Sequence, residues 1–259
     1  MRTIALFLIA FACLVGPLSA DAIDFTPFAG YTSVSMGSVN KAQAGYQETL
    51  TTLLYNEGNP ASFTGADLSG AWILGGDLLS GALTPWKELE LGLRVDYLGT
   101  NQASDLLSEG AATINTTESG TLTSVMIGGR YQLPGADYGL KLSAGAFAGI
   151  GYGTMSQNFS VTEGGTDMVA NGFYYGEGFV GDLDLRLDWT VPGVTWLHLD
   201  AQGGYRYASL GDFRDGNGQP LEGPMKYLHQ FAPTEFPPAS AVDVDFSGLS
   251  VEGGLSLVF

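Results

Sequence analysis

Histidine is the side chain in this sequence best suited to proton transfer near neutral pH, and it occurs twice. His198 precedes Asp200 by two positions, which places both side chains on one face of a strand, as a base and its orienting carboxylate require. His229 lies in the segment Tyr227–Gln230, which we interpret as a loop. An interior histidine with satisfied hydrogen bonds explains His198 better than catalysis does, so we predict no catalytic residue and no enzyme.

Metal and cofactor sites lack the residues that they need. The segment Asp212–Gly218 looks like a calcium turn but lacks the spaced oxygen ligands and terminal glutamate of an EF-hand. Gly149, Gly151 and Gly153 alternate within a predicted strand, whereas a phosphate-binding loop precedes a helix. The only cysteine is Cys13. We therefore expect neither a metal site nor a cofactor.

Charge composition excludes a nucleic-acid partner. The 259 residues include 10 Lys plus Arg against 27 Asp plus Glu, and the net charge is −17. Phosphate binding needs clustered basic residues that this chain lacks. With 45% hydrophobic residues, disorder is also excluded.

The first 22 residues have the layout of a secretory signal peptide. Arg2 precedes the apolar run from Ile4 to Val15, and Ala20-Asp21-Ala22 matches an A-x-A cleavage site. A membrane-anchoring helix would need about 18 to 20 apolar residues, and this run stops at Pro17. We predict a cleaved leader over residues 1–22 and a single structural domain over 23–259.

Period-two alternation recurs along the rest of the chain and predicts eight antiparallel strands. The segments are 25–36, 68–79, 88–99, 122–133, 139–152, 173–189, 197–207 and 247–259. In the third segment Leu91, Leu93 and Val95 alternate with Gly92, Arg94 and Asp96. Each strand therefore has an apolar face and a polar face.

Short and long connections alternate between these segments. Pro and Gly mark short turns near residues 84–87, 134–137 and 191–194, whereas the joins at 38–67, 100–119, 154–171 and 211–246 are long and polar. This order predicts an all-β, transmembrane, antiparallel up-and-down β-barrel with three short periplasmic turns and four long extracellular loops. We expect a helix over Val39–Leu54 in the first loop and an irregular, proline-rich lid in the fourth.

The polar strand faces carry a mixed set of charges. Buried charges persist only when they are paired, so we predict that this face lines the lumen as a charge network. Its predicted members are Asp77, Glu90, Arg94, Asp96, Arg130, Lys141, Asp182, Asp184, Arg186, Asp188, His198, Asp200, Arg206 and Glu252. The apolar faces would then contact lipid.

Aromatic residues and the tail agree with a membrane location. Trp86, Trp189 and Trp196 flank short turns, while Trp72 lies near a long-loop end, and such rings collect at the two boundaries of a bilayer. The last predicted strand ends on the aromatic Phe259, with the apolar residues Leu255 and Leu257 at every second position before it. We interpret this tail as an assembly signal.

The pattern over residues 24–259 resembles the small eight-stranded bacterial outer-membrane barrels, the class of the OmpA membrane domain, OmpX and OmpW. The resemblance implies the outer membrane as location, with its lipid and the barrel-assembly machinery as partners, and a monomer. Some barrels of this class modify lipid A, but His198-Leu199-Asp200 lacks the His-x-Ser pattern of a lipid A deacylase.

Two functions remain open at this point. An acid excess favours a narrow passive channel for small solutes that prefers cations. Eight strands enclose a bore just wide enough for side chains to fill, which favours a plugged structural barrel whose loops serve adhesion, ligand binding or envelope integrity.

Overall fold

The computed structural model describes residues 23–56, 62–81, 84, 86–109, 112–134, 139–163, 166–194, 196–231, 236 and 238–258. Within these ranges most residues in regular structure belong to one antiparallel sheet, and two helices lie beside it. Neither helix is long and apolar enough to traverse a membrane. The predicted leader (1–22) and Phe259 of the predicted assembly signal lie outside the described residues.

Eleven strands and two helices make up the described structure. The strands are β1 Ile23–Ser33, β2 Ser62–Ala66, β3 Gly70–Ser80, β4 Leu89–Thr100, β5 Ala103–Glu109, β6 Ala112–Gln132, β7 Leu140–Glu163, β8 Thr166–Thr190, β9 Leu197–Arg214, β10 Val244–Asp245 and β11 Gly248–Val258. The helices are α1 Gly37–Asn56 and α2 Met225–Phe231.

Eight of the strands close into a ring. Neighbours pair in the order β6-β4-β3-β1-β11-β9-β8-β7, and β7 pairs again with β6. Strand β1 pairs with β11 from Asp24↔Val258 to Thr32↔Ser250 and so closes the seam between the two ends of the chain. The predicted eight alternating segments correspond to these eight strands.

The alternation predicted from sequence determines which side chains face outward. Along β8, Leu183 and Leu185 are exposed while Asp182, Asp184 and Arg186 are buried inside the ring. A one-residue change of register would exchange the two faces, so the pattern specifies the pairing.

The second and third connections differ from the prediction of long polar loops. Strands β6, β7 and β8 continue past the ring as long hairpins, and β6 pairs with β7 from Thr113↔Thr162 to Gln132↔Ser143. Strands β2 and β5 widen this extension, which we call the projecting sheet. Its residues are rich in Thr, Ser and Asn, whose polarity suggests loops. The β-branched side chain of Thr nevertheless suits a water-exposed strand.

Both helices lie against the projecting sheet. The helix predicted over Val39–Leu54 is present as α1, which begins two residues earlier and ends two residues later. Tyr46 and Leu50 of α1 pack with Phe159 of β7 and with Tyr227 of α2 in one apolar cluster. His229, predicted in a loop, lies in α2, where its Nδ1 hydrogen-bonds the Phe236 carbonyl at 2.7 Å. The described residues of the fourth connection are otherwise largely irregular, as predicted.

Candidate functional site

The interior of the ring holds a layer of paired charges. Arg94 on β4 donates from Nε to Asp77 Oδ1 at 2.7 Å and from Nη2 to Asp77 Oδ2 at 2.9 Å. The same Nη2 lies 2.9 Å from Asp184 Oδ2, and Nη1 lies 3.4 Å from Asp182 Oδ1. Arg94 is fully buried, so one guanidinium compensates carboxylates from two opposite parts of the ring.

Two further arginines extend this layer. Arg206 Nη2 lies 2.7 Å from Asp96 Oδ2 and 3.0 Å from Asp182 Oδ2. Arg130 Nη2 lies 3.1 Å from Asp77 Oδ2 and 3.2 Å from Asp184 Oδ1. Every carboxylate of this group therefore has a guanidinium within ion-pair distance, and the members form one connected network.

A second, smaller ion-pair group lies toward the short turns. Arg186 donates from Nε to Asp188 Oδ1 at 2.6 Å, and its Nη2 lies 3.7 Å from Asp200 Oδ2. His198 is buried near this end. Glu90 is half-buried, and Lys141 is exposed at the rim rather than enclosed in the network.

Neutral partners that the sequence analysis did not single out complete the network. Gln202 Oε1 accepts from Arg130 Nη2 at 3.1 Å, and its amide nitrogen donates to Glu252. Ser124 donates to Asp96 Oδ1 at 2.6 Å. The Phe147 ring lies under Arg94, with 4.2 Å between the guanidinium carbon and the ring centroid. The alternation along each strand predicts that these side chains point inward, but it does not predict which residues they contact.

Apolar side chains fill the ring above the charges, on the side of the long connections. Met36, just before α1, and Val39 in its first turn join Leu221, Val244 and Phe246 of the fourth connection in one cluster, and all five are buried. Inward residues of the ring strands join the same cluster, among them Leu98, Leu122, Met155, Leu210 and Phe213. We call this cluster together with α1 and α2 the cap.

A polar cluster lies under the cap at the base of the projecting sheet. Gln157 donates from Nε2 to Glu118 Oε1 at 2.8 Å and to the Glu222 carbonyl at 3.0 Å. Glu118 is 1% exposed, and this burial raises the pKa of its carboxyl to about 7. Burial also raises the pKa of Asp105, which accepts from Gln47 Nε2 at 2.7 Å.

The outer face of the ring is apolar and bordered by aromatic rings. Leu74, Ile127, Leu183, Leu185 and Val251 are each at least half exposed on it. Trp72 pairs with Tyr97 at the side of the long connections, with 5.3 Å between ring centroids. Trp86, Trp189 and Trp196 are exposed beside the short turns. Leu255 is exposed on the same face and Leu257 is half-buried.

Two solved structures resemble the chain weakly. Neisserial surface protein A (NspA) is 11% identical, with a TM-score of 0.35 over 92% of this chain and 97% of that chain. CarO of Acinetobacter baumannii is 13% identical, with a TM-score of 0.32 over 77% of this chain and 96% of that chain. No protein-family model and no curated protein matches the sequence.

Proposed function

We propose that the ring is a β-barrel of the bacterial outer membrane with an occluded interior, and that it serves as a non-enzymatic anchor for the projecting sheet on the cell surface. Its direct partners would be membrane lipid and, during insertion, the barrel-assembly machinery. The barrel would act as a monomer, because its apolar exterior is already suited to lipid.

The apolar outer face of the ring around Leu74, Ile127, Leu183, Leu185 and Val251, which we call the belt, supports the membrane location. Aqueous proteins rarely expose a contiguous apolar surface of this extent. The ten-residue step from Phe179 to Trp189 on β8 spans about 34 Å along the strand at about 3.4 Å per residue. With a strand tilt of about 40°, its height is about 26 Å, close to the roughly 25 Å apolar band of outer-membrane barrels.

The filled interior is the observation that carries the proposed role. Ions crossing the ring would have to disrupt the charge layer around Arg94 and also pass the buried side chains Met36, Leu221 and Phe246. The cap packs as a small core against the projecting sheet, so the first and fourth connections are suited to hold that sheet in place. This favours a plugged barrel over a passive channel.

The interior chemistry favours no reaction. Asp200 Oδ2 lies 3.7 Å from Arg186 Nη2, so an ion pair accounts for the carboxylate that would orient His198 as a base. His198 lies near the short turns, whereas lipid A modification takes place at the outer leaflet. Unchanged lipid A after overexpression is the expected result.

Single cysteines test the location. Val169 on the projecting sheet is 63% exposed and Leu185 in the belt is 56% exposed, so the two positions are matched in accessibility of the protein alone. In intact cells a membrane-impermeant maleimide should label Val169→Cys and leave Leu185→Cys unlabelled. Lys87→Cys, beside a short turn, should react only after the outer membrane is permeabilised. Equal labelling at positions 169 and 185 would contradict the membrane belt.

Electrical recording tests the occlusion. The refolded protein should produce no stepwise current in a planar bilayer, while its shift in gel mobility on boiling verifies that it is folded. Discrete steps whose amplitude rises with KCl concentration would instead establish the passive channel.

A further inference from the structure

A cavity of about 350 Å³ opens at the short-turn end of the ring. Arg130, a member of the buried charge layer, forms part of its wall, so the cavity lies directly beside that layer. Its size lies within the range of small-molecule sites, about 300 to 1,000 Å³. Ile23 and Val258, the two edges of the seam, contribute part of the wall.

Three buried side chains of the wall have hydrogen-bonding capacity left over. Arg186, Arg130 and Ser143 are 1%, 3% and 5% exposed. Among the described residues, Nη1 of Arg186, Nε and Nη1 of Arg130 and the Ser143 hydroxyl find no hydrogen-bond partner. Buried donors in this position need an acceptor, and two guanidinium groups favour a carboxylate.

The charges around the cavity are balanced. Its basic side chains are Lys87, Arg130, Lys141 and Arg186, which are four of the ten Lys and Arg residues of the chain. Its acidic side chains are Asp24, Glu88, Glu90 and Asp188. With His198 counted as neutral, the side chains around the cavity have a net charge of zero, whereas the whole chain has a net charge of −17.

This balance distinguishes between ligands. A free anion would gain from the guanidinium donors but would face four carboxylates, whereas a free cation would face the arginines. A molecule that carries both charges can place its carboxylate at Arg186 and Arg130 and its ammonium at the acidic rim. Both ends then meet groups of the opposite sign.

We propose that the cavity binds a small zwitterion, of the size of an amino acid or a dipeptide, from the short-turn side. Arg186, Arg130 and Ser143 hold its carboxylate, and Lys141 attracts it at the rim. Asp24, Glu88 and Glu90 accept from its ammonium group. The site does not depend on the membrane location, since it is defined inside the ring.

Calorimetric titration of the folded full chain in detergent with alanyl-alanine tests this site. We expect saturable binding of one dipeptide per chain. N-acetyl-alanyl-alanine lacks the ammonium and alanyl-alaninamide lacks the carboxylate, so each should bind at least about tenfold more weakly, corresponding to about 1.4 kcal/mol. Equal binding of the acetylated peptide would replace the zwitterion site with a plain anion site and overturn the proposal.

Variants localise the binding. Lys141→Gln changes an exposed rim residue, so folding should survive, and the dissociation constant should rise severalfold. Arg214→Gln also removes one positive charge from an exposed position, but at the end of β9 away from the cavity, and it should leave the dissociation constant unchanged. Arg186→Gln should abolish binding, with the boiling-dependent gel shift as its folding check. Absence of saturable binding to the folded wild-type chain, or equal losses in Lys141→Gln and Arg214→Gln, would contradict the site.

Discussion

Replacing Arg94 by methionine should destabilise the ring more than any single surface change. Methionine keeps an unbranched apolar chain beside Phe147 but removes the charge that faces Asp77, Asp182 and Asp184 at 2.7, 3.4 and 2.9 Å. Breaking a buried ion pair typically costs about 3 to 5 kcal/mol, because the remaining partner is left uncompensated. Arg130 and Arg206 still neutralise part of the charge, so we expect about 3 kcal/mol, the lower end of that range.

A double-mutant cycle separates the ionic contribution from lost packing. Asp77→Asn removes one carboxylate that Arg94 compensates, so Arg94→Met should cost about 2 kcal/mol less in that background. The exposed Arg214 lies 3.6 Å from Asp212, and Arg214→Met should cost less than about 1 kcal/mol. Urea unfolding in lipid vesicles, followed by tryptophan fluorescence, measures all four variants. A loss below 1 kcal/mol for Arg94→Met, or strictly additive costs, would refute the view that the charge layer is one cooperative network.

Three further predictions concern the belt, the contacts between strands and the polar cluster under the cap. Leu185→Arg should lower the free energy of unfolding in vesicles by about 2 to 4 kcal/mol, because it places a charge in the lipid-facing belt. Val169→Arg lies above the belt and should change this free energy by less than about 1 kcal/mol. Equal costs would exclude a lipid-facing belt. Gly92→Ala should reduce the yield of folded protein, because its Cβ would overlap a carbonyl oxygen of the neighbouring strand. In Gly203→Ala the Cβ would lie 3.6 Å from the nearest carbonyl oxygen, so this variant should fold normally. The boiling-dependent gel shift measures the folded fraction of both. Burial raises the pKa of Glu118 from 4.5 to about 7, so the folded state keeps a proton that the unfolded chain releases. Stability should therefore fall as pH rises from about 4.5 to 7, by on the order of 3 kcal/mol, and unfolding of Glu118→Gln measured at several pH values should lack this decrease.

Sequence alone could predict the ring because alternation is a local property. Leu183 and Asp184 differ in polarity, and the pleat converts that difference into an outer and an inner side without knowledge of any distant strand. Twelve of the fourteen residues predicted for the charge network are buried inside the ring, whereas Glu90 is half-buried and Lys141 is exposed at the rim.

The pairings inside the ring could not be predicted in the same way. Arg94 meets Asp184 across the interior, and this contact depends on strand stagger, which no single strand encodes. The projecting sheet was missed because residues such as Thr117 and Asn158 resemble loop residues in composition, while their pairing to each other stabilises an exposed strand. The sequence predicts helix α1 and an irregular fourth connection, but not the core of the cap, because burial of Met36 or Phe246 requires the first and fourth connections to meet.

The seam between β1 and β11 has a consequence for biogenesis. Its partners, such as Asp24 and Val258, are separated by more than 200 residues of chain, so the ring cannot complete its hydrogen bonding until nearly all of the polypeptide has left the ribosome. Pairings at such sequence separation are slow to form, and the unpaired edges are prone to aggregation while they wait. Shielding of the leucine-rich strands until the seam has paired would therefore raise the yield of folded protein.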